Sequence, residues 1–323
     1  MNFNSLSLLI YQMELSGLMF FAKLINWGKM EYVVEVKNLT HYYGSKKVYE
    51  NLNFKIKKGS IFGLLGKNGT GKTTTINILN GFLKPKSGQC LILGENSYMI
   101  SPKTKSQIGF LIEGHIQYSF MNIIQIEKYY SRFYPQWKRD VYFDLMSKLK
   151  VLDNQKISKM SCGQRSQVTL GLLLAQDPEI LILDDYSMGL DAGYRRLFLD
   201  FLQEYGKYEN KTIFITSHII QDLDGFLDDC VILDYNGVVL QMPINEFKST
   251  FKMYQFNSSQ TELISKDETI INFNIIKNKA IVYSFKDTET VQKHLLNKGI
   301  SFNNFINHKM DLEDAFIGLT GKY

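Results

Sequence analysis

An α/β fold around a largely parallel sheet is what this sequence predicts, on three observations. Short, largely apolar runs recur at 61–65, 91–93, 108–112, 180–183, 213–216 and 231–233. Runs of that length suit strands buried on both faces. Helical patterns separate several of them, as with Phe198, Phe201, Leu202 and Tyr205 at i, i+3, i+4 and i+7. A glycine-rich turn follows the 61–65 run directly. Strands alternating with helices argue for a parallel sheet.

The bulk numbers agree with this. The 323 residues suggest about two domains. With 45% hydrophobic and 21% charged residues, the chain has enough apolar material for a core. A net charge of +5 sits in short clusters such as Lys46-Lys47 and Lys57-Lys58, which read as a solvated face. No nucleic acid partner is expected, because that needs a stronger basic stripe. Cys90, Cys162 and Cys230 are far apart and odd in number, so neither a disulfide framework nor a zinc site follows.

Residues 1–29 differ from the rest. Their apolar stretch is broken by Glu14 and Lys23, too early for a membrane span. Met1 to Ser7 contains no Lys or Arg for a signal peptide. They read either as an extension or as untranslated sequence ahead of a start at Met30. Residues 33–39 then read as a strand.

Between about 114 and 174 the strand signal disappears and helices are expected, including 123–130 and 142–150. Asn236-Gly237 suits a hairpin turn between 231–235 and 238–240. Past Pro243 the character changes: 270–275 and 281–285 read as strands and 288–297 as a helix. Asp311 is placed to cap a last helix holding Leu312, Phe316 and Leu319. Three units result: 1–29; 30–245 with a helical subdomain at about 114–174; and a small α+β accessory domain at 246–323.

The sharpest motif is Gly66-Lys67-Asn68-Gly69-Thr70-Gly71-Lys72-Thr73, which matches G-x-x-x-x-G-K-[ST] between a predicted strand and a helix beginning near Thr74. Glycines let successive N–H groups wrap phosphates, and the helix N-terminus adds positive potential. Lys72 is placed to reach the β- and γ-phosphates, and Thr73 to offer a hydroxyl to magnesium. Residues 180–183 form an apolar strand ending in Asp184 and Asp185. Asp184 is expected to hold magnesium and Asp185 to orient an attacking water.

In this order the motifs resemble those of the nucleotide-binding subunit of an ABC transporter, with a P-loop NTPase ABC ATPase core. Met160-Ser161-Cys162-Gly163-Gln164 stands where that family carries its LSGGQ signature. Gly189-Leu190-Asp191 resembles its D-loop, and Thr216-Ser217-His218 its switch histidine. Tyr43 fits the aromatic that stacks on adenine, with Tyr42 as alternate. Glu113 sits where the family usually has a glutamine and would contact nucleotide and magnesium. The resemblance implies ATP and Mg2+ as cofactors. It also implies that Ser161, Gly163, Gln164 and Asp191 serve the nucleotide held by an opposing subunit.

The chain departs from the family pattern in places. Asp185 replaces the usual glutamate, retracting the carboxylate by about 1.5 Å, and slow hydrolysis is expected. Cys162 replaces a signature glycine and Met160 the leucine. Tyr186 and Met188 replace the usual proline and serine.

The expected function is an ATPase driving a separate integral-membrane permease from the cytoplasmic face of the cell membrane, in the export direction. The second ATP-binding subunit is either identical or a homologue. The alternatives are a soluble ABC ATPase acting on ribosomes or DNA, and a nucleotide-gated regulatory module with negligible turnover. A ribosomal type usually carries two cassettes, and only one phosphate loop is present. The span from Lys72 to Asp184 leaves no room for the long coiled coil of the DNA-repair type.

Overall fold

The computed structural model describes residues 30–111, 118–148, 152–187, 189–235 and 237–321. The expectations for residues 1–29, Glu113, Met188 and Asn236 lie outside the described residues.

The chain begins with β1 (Tyr32–Tyr43) and β2 (Lys46–Lys57), then β3 (Ile61–Gly66) and α1 (Lys72–Leu79). Next come β4 (Ser87–Ile92), β5 (Glu95–Asn96), α2 (Pro102–Lys105) and β6 (Ile108–Leu111). Three helices follow: α3 (Ile123–Tyr130), α4 (Arg139–Lys148) and α5 (Cys162–Ala175). Then β7 (Ile180–Leu183), α6 (Ala192–Glu209), β8 (Thr212–Ile215), β9 (Asp229–Asp234) and β10 (Gly237–Pro243) complete the first part. The remainder is α7 (Ile244–Thr250), β11 (Lys252–Asn257), β12 (Asn272–Ile276), β13 (Lys279–Ser284), α8 (Thr288–Asn297), β14 (Asn303–His308) and α9 (Leu312–Thr320).

The central sheet has six strands in the order β10-β9-β3-β8-β7-β6. All its pairings are parallel except the β9–β10 hairpin at one edge. Its inner strands β3, β7 and β8 are buried at every position because both faces are covered, whereas the edge strand β10 is largely exposed. Ile180 and Ile182 of β7 enter one core with Phe62, Leu64 and Phe214, beneath α1 and the β1–β2–β4 sheet. Leu181 and Leu183 enter another, with Ile61, Leu65 and the helices α3 to α6. Period-two alternation divides one strand between two cores. Each fully buried Leu, Ile or Phe contributes about 1.5–3 kcal/mol.

Residues 91–93 are a correction. The run is not a parallel strand buried on both faces. It ends β4, which pairs antiparallel to β1 in a separate sheet of order β2-β1-β4-β5. There Cys90 and Ile92 are buried and the strand's first residues are exposed. Hydrophobicity at 91–93 reports one covered face plus a buried turn at Leu93, and a three-residue run cannot separate these cases.

The third sheet, β12-β13-β11-β14, covers a small core of Tyr254, Phe256, Val282, Val291 and Leu295 with α8. Helix α9 does not join that core. Its Leu312, Ala315, Phe316 and Leu319 pack with Phe247 and Phe251 into the same cluster as α3 to α6. The sequence boundary at residue 246 falls within α7.

Candidate nucleotide site

Four segments meet at the carboxyl ends of the parallel strands, where open α/β sheets hold ligands. They are the loop after β3, the end of β7, the end of β8, and the β1–β2 turn. Together they line an open cleft of about 570 Å³.

The phosphate loop is formed by close approach. A Cβ on Gly66 would stand 2.8 Å from the Leu233 carbonyl oxygen of β9. Gly71 has φ 99, and a Cβ there would stand 2.8 Å from the Tyr49 ring. Only glycine fits such positions. Thr70 Oγ1 donates to the Lys67 carbonyl at 2.8 Å. Lys72 Nζ donates to the carbonyls of Gly66 at 2.7 Å and Lys67 at 3.0 Å. Burial lowers the Lys72 pKa, while Asp185 and Asp184 oppose the shift. Asn68, Gly69, Gly71, Lys72, Thr73 and Thr74 all line the cleft.

The acidic pair hangs on one hydroxyl. Thr216 Oγ1 donates to Asp184 Oδ1 at 2.9 Å and accepts from the Asp185 N–H at 3.0 Å. This link follows from the parallel register, in which Leu183 stands beside Ile215. Burial pushes the Asp184 pKa up, offset in part by hydrogen bonds from Thr216 and Thr73. Asp185 sits at φ 46. Its carboxylate accepts from Ser187 Oγ at 3.0 Å and lies 2.8 Å from His218 Nδ1. A carboxylate only accepts, so Nδ1 carries the proton. The donors offered by Asp184 and Thr73 are all oxygen, and the carboxylate is buried. That set fits a hard cation such as Mg2+.

Tyr43 lines the cleft with its hydroxyl 3.4 Å from Thr74 Oγ1 and its ring against His41 at 4.9 Å. Tyr42 instead hydrogen-bonds Glu50 and does not line it. Lys46 and Lys47, read from sequence as a solvated face, line the cleft beside Tyr43 because the β1–β2 turn folds over it. Sequence reasoning also passed over Tyr235, whose hydroxyl donates to the Asn68 carbonyl at 3.4 Å. No sequence pattern marks it, since β9 brings it there from far along the chain.

Ser161, Gly163, Gln164 and Asp191 are not brought to this cleft. Ser161 caps α5: its Oγ accepts from the Gln164 N–H at 3.2 Å, and the Gln164 side chain accepts from the Ser161 N–H at 3.0 Å. Gly163 lets α5 approach α6, where a Cβ would stand 2.2 Å from the Tyr194 ring. Asp191 caps α6 through Tyr194 N–H at 3.0 Å. Tyr186 is buried against Phe198 at 5.4 Å, and its hydroxyl donates to Asp222 at 3.3 Å.

The family model described as ABC transporter matches residues 49–187, which include the phosphate loop, Ser161 to Gln164 and both aspartates. An ABC transporter ATP-binding protein of Methanocaldococcus jannaschii is 32% identical over 205 residues, 62% of this chain and 73% of the relative. The chain belongs to the ABC transporter family. It is an ATP-binding and ATP-hydrolysing subunit of that family. The bacitracin transport ATP-binding protein of Bacillus licheniformis is 28% identical over 301 residues, 90% of this chain and 98% of the relative. Among solved structures, an ATP-binding subunit from Clostridium perfringens, part of the cbiONQ transporter complex, superposes with a TM-score of 0.59. It is 25% identical, over 67% of this chain and 90% of that one. Among the described residues, no helix of this ABC transporter subunit is long and apolar enough to cross a membrane.

Proposed function

We propose that this chain is the ATP-driven motor of an exporter, closing as a dimer around two ATP–Mg2+ complexes and moving a separate membrane permease. One observation carries the reading. The phosphate loop, acidic pair and His218 share one cleft, while Ser161 to Gln164 and Asp191 of the same chain lie outside it. A second subunit would supply that missing edge. Opening of the capping box at Ser161 would free its hydroxyl and the α5 N-terminus for the partner's γ-phosphate.

In the closed site Lys72 leaves its two loop carbonyls for the β- and γ-oxygens. Tyr43 stacks on the adenine, which needs only a π-face. Thr73, Asp184 and the glutamate at 113 would hold magnesium, whose charge offsets that of the phosphates. Asp185 orients the water that attacks the γ-phosphorus as the bond to the ADP oxygen breaks. His218 holds the Asp185 carboxylate and faces the γ-phosphate. Asp185 is shorter than glutamate and already engaged by Ser187 and His218, which supports slow turnover and a long-lived ATP-bound dimer.

The bacitracin-transport relative supports export, and membrane attachment would come from the permease on the cytoplasmic face. The exposed rings of Tyr118, Phe120 and Phe133 on the helical segment offer it an apolar surface.

Light scattering tests the assembly. With Asp185→Asn slowing turnover, ATP and magnesium should convert monomer to dimer, and Ser161→Arg should prevent it. A monomer at saturating ATP overturns the sandwich. Affinity capture from detergent-solubilised membranes should recover a stoichiometric polytopic protein. Recovery with ribosomes or nucleic acid would replace the transporter reading.

A further inference from the structure

Lys67 stands second in the phosphate loop, yet its side chain does not enter the cleft. It is 8% exposed, and its Nζ donates to the Thr320 carbonyl at 2.9 Å. Thr320 is the last residue of α9. Terminal carbonyls of a helix lack intrahelical partners and carry partial negative charge, so a buried ammonium is well matched there. The same residue's carbonyl receives Lys72 Nζ, Thr70 Oγ1 and, at 3.4 Å, the Thr70 N–H. Lys67 therefore joins α9 by its side chain and the centre of the phosphate loop by its backbone.

The other end of α9 is tied to the segment after His218. Glu313 receives the Gln221 side-chain amide. The Leu312 N–H donates to Asp224 at 3.3 Å, and Asp224 also pairs with Lys248 at 2.6 Å. Between these ends the helix is clamped. Phe316 and Leu319 are buried, and a Cβ on Gly318 would stand 2.4 Å from the Tyr283 ring of β13. A nine-residue helix thus spans from the histidine segment to the phosphate loop, with no residue lining the cleft.

We infer that α9 is a strut that positions the phosphate loop through Lys67 and registers nucleotide occupancy in the C-terminal part of the chain. The inference rests on the phosphate loop being the ATP site. When Lys72 transfers from the Gly66 and Lys67 carbonyls to phosphate, the Lys67 carbonyl loses one of its donors and keeps those of Thr70. The Lys67 side-chain anchor on α9 then limits where that peptide moves. An ordered loop in turn holds the last turn of α9 against fraying. Lys67 is a positioning residue in this scheme.

The test is hydrogen exchange on the full chain with and without a non-hydrolysable ATP analogue and magnesium. In the unaltered chain, amides of 317–321 should gain protection on binding, although none lines the cleft. In Lys67→Met that gain should vanish, with affinity weakened roughly tenfold. A merely structural role would change protection equally with and without nucleotide, so the difference is the readout. An unaltered chain that binds the analogue without a change at 317–321 overturns the strut and leaves the site standing. So does a full gain in Lys67→Met. An unaltered chain that binds no analogue overturns both. The measurement on the unaltered chain decides the matter even if Lys67→Met does not fold.

Discussion

His218 Nδ1 lies 2.8 Å from Asp185 Oδ2, joining the ends of β7 and β8 across the mouth of the cleft. The imidazole Nδ1 faces both carboxylate oxygens, at 2.9 and 2.8 Å, and Ser187 Oγ donates to Oδ1. The aspartate is therefore fixed before nucleotide arrives. Its aim, rather than its freedom, sets how well it orients a water.

Asp185→Glu should raise ATP turnover, because the carboxylate advances by about 1.5 Å and errors near 1 Å cost on the order of 100-fold. It should also lower stability slightly, since Asp185 has a positive φ that aspartate tolerates better than glutamate. Steady-state phosphate release and a melting curve read both. A rate that stays level or falls removes the slow-site account.

Thr216→Val keeps the shape and deletes the hydroxyl. The Asp184 carboxylate loses a donor and the Asp185 N–H its acceptor. A cost of about 1–3 kcal/mol is expected from the unpaired groups, with weaker magnesium-dependent ATP binding. Denaturant titration and binding calorimetry check it; native affinity and stability together would show that Thr216 is dispensable.

Gly163→Ala should destabilise by about 1–3 kcal/mol through overpacking, because its Cβ meets the Tyr194 ring. Urea midpoints measure this. A neutral result would mean that α6 shifts freely, contrary to the packing seen.

Asp267 gives a pH dependence. Burial raises its pKa, but Lys298, the Ile270 and Thr269 N–H groups and His294 outweigh that and hold it well below the usual carboxylate range. A depressed folded-state pKa stabilises above the unfolded value near about 4 and is lost as pH falls below it. Asp267→Asn should cost about 1 kcal/mol at neutral pH, with the gap narrowing under acid. Urea midpoints at several pH values test it; a gap that widens in acid reverses the sign.

Thiol labelling separates the cysteines. Burial pushes Cys90 and Cys230 up to about 12, so neither should react in the folded chain. Cys162 is half-buried beside Ser161 and should label first. ATP should slow it if the signature faces a partner subunit. Peptide mass mapping reads the site, and labelling unaffected by ATP would count against the sandwich.

Local patterns carried much of the fold. Residues 123–130 and 288–297 are helices as expected from the sequence, and Asp311 caps α9 through the Asp314 N–H at 2.7 Å. Strand β14, rich in asparagine, gave no such signal. Asparagine disfavours strands, and pairing with β11 imposes the conformation. Strand β2 turns Leu52, Phe54 and Ile56 inward, but its exposed positions are lysine, glutamate and asparagine, so it shows no apolar run like those of the central strands.

By itself the sequence determined the phosphate loop, the acidic strand end and the family, because these depend on residue types at fixed short spacing. Only the tertiary structure decided that Thr216 supports both aspartates, that Tyr43 rather than Tyr42 lines the cleft, and that Lys67 reaches Thr320. Those are contacts between segments far apart in the chain. Strand order and helix packing set them, and no local pattern encodes which distant carbonyl a buried ammonium will find.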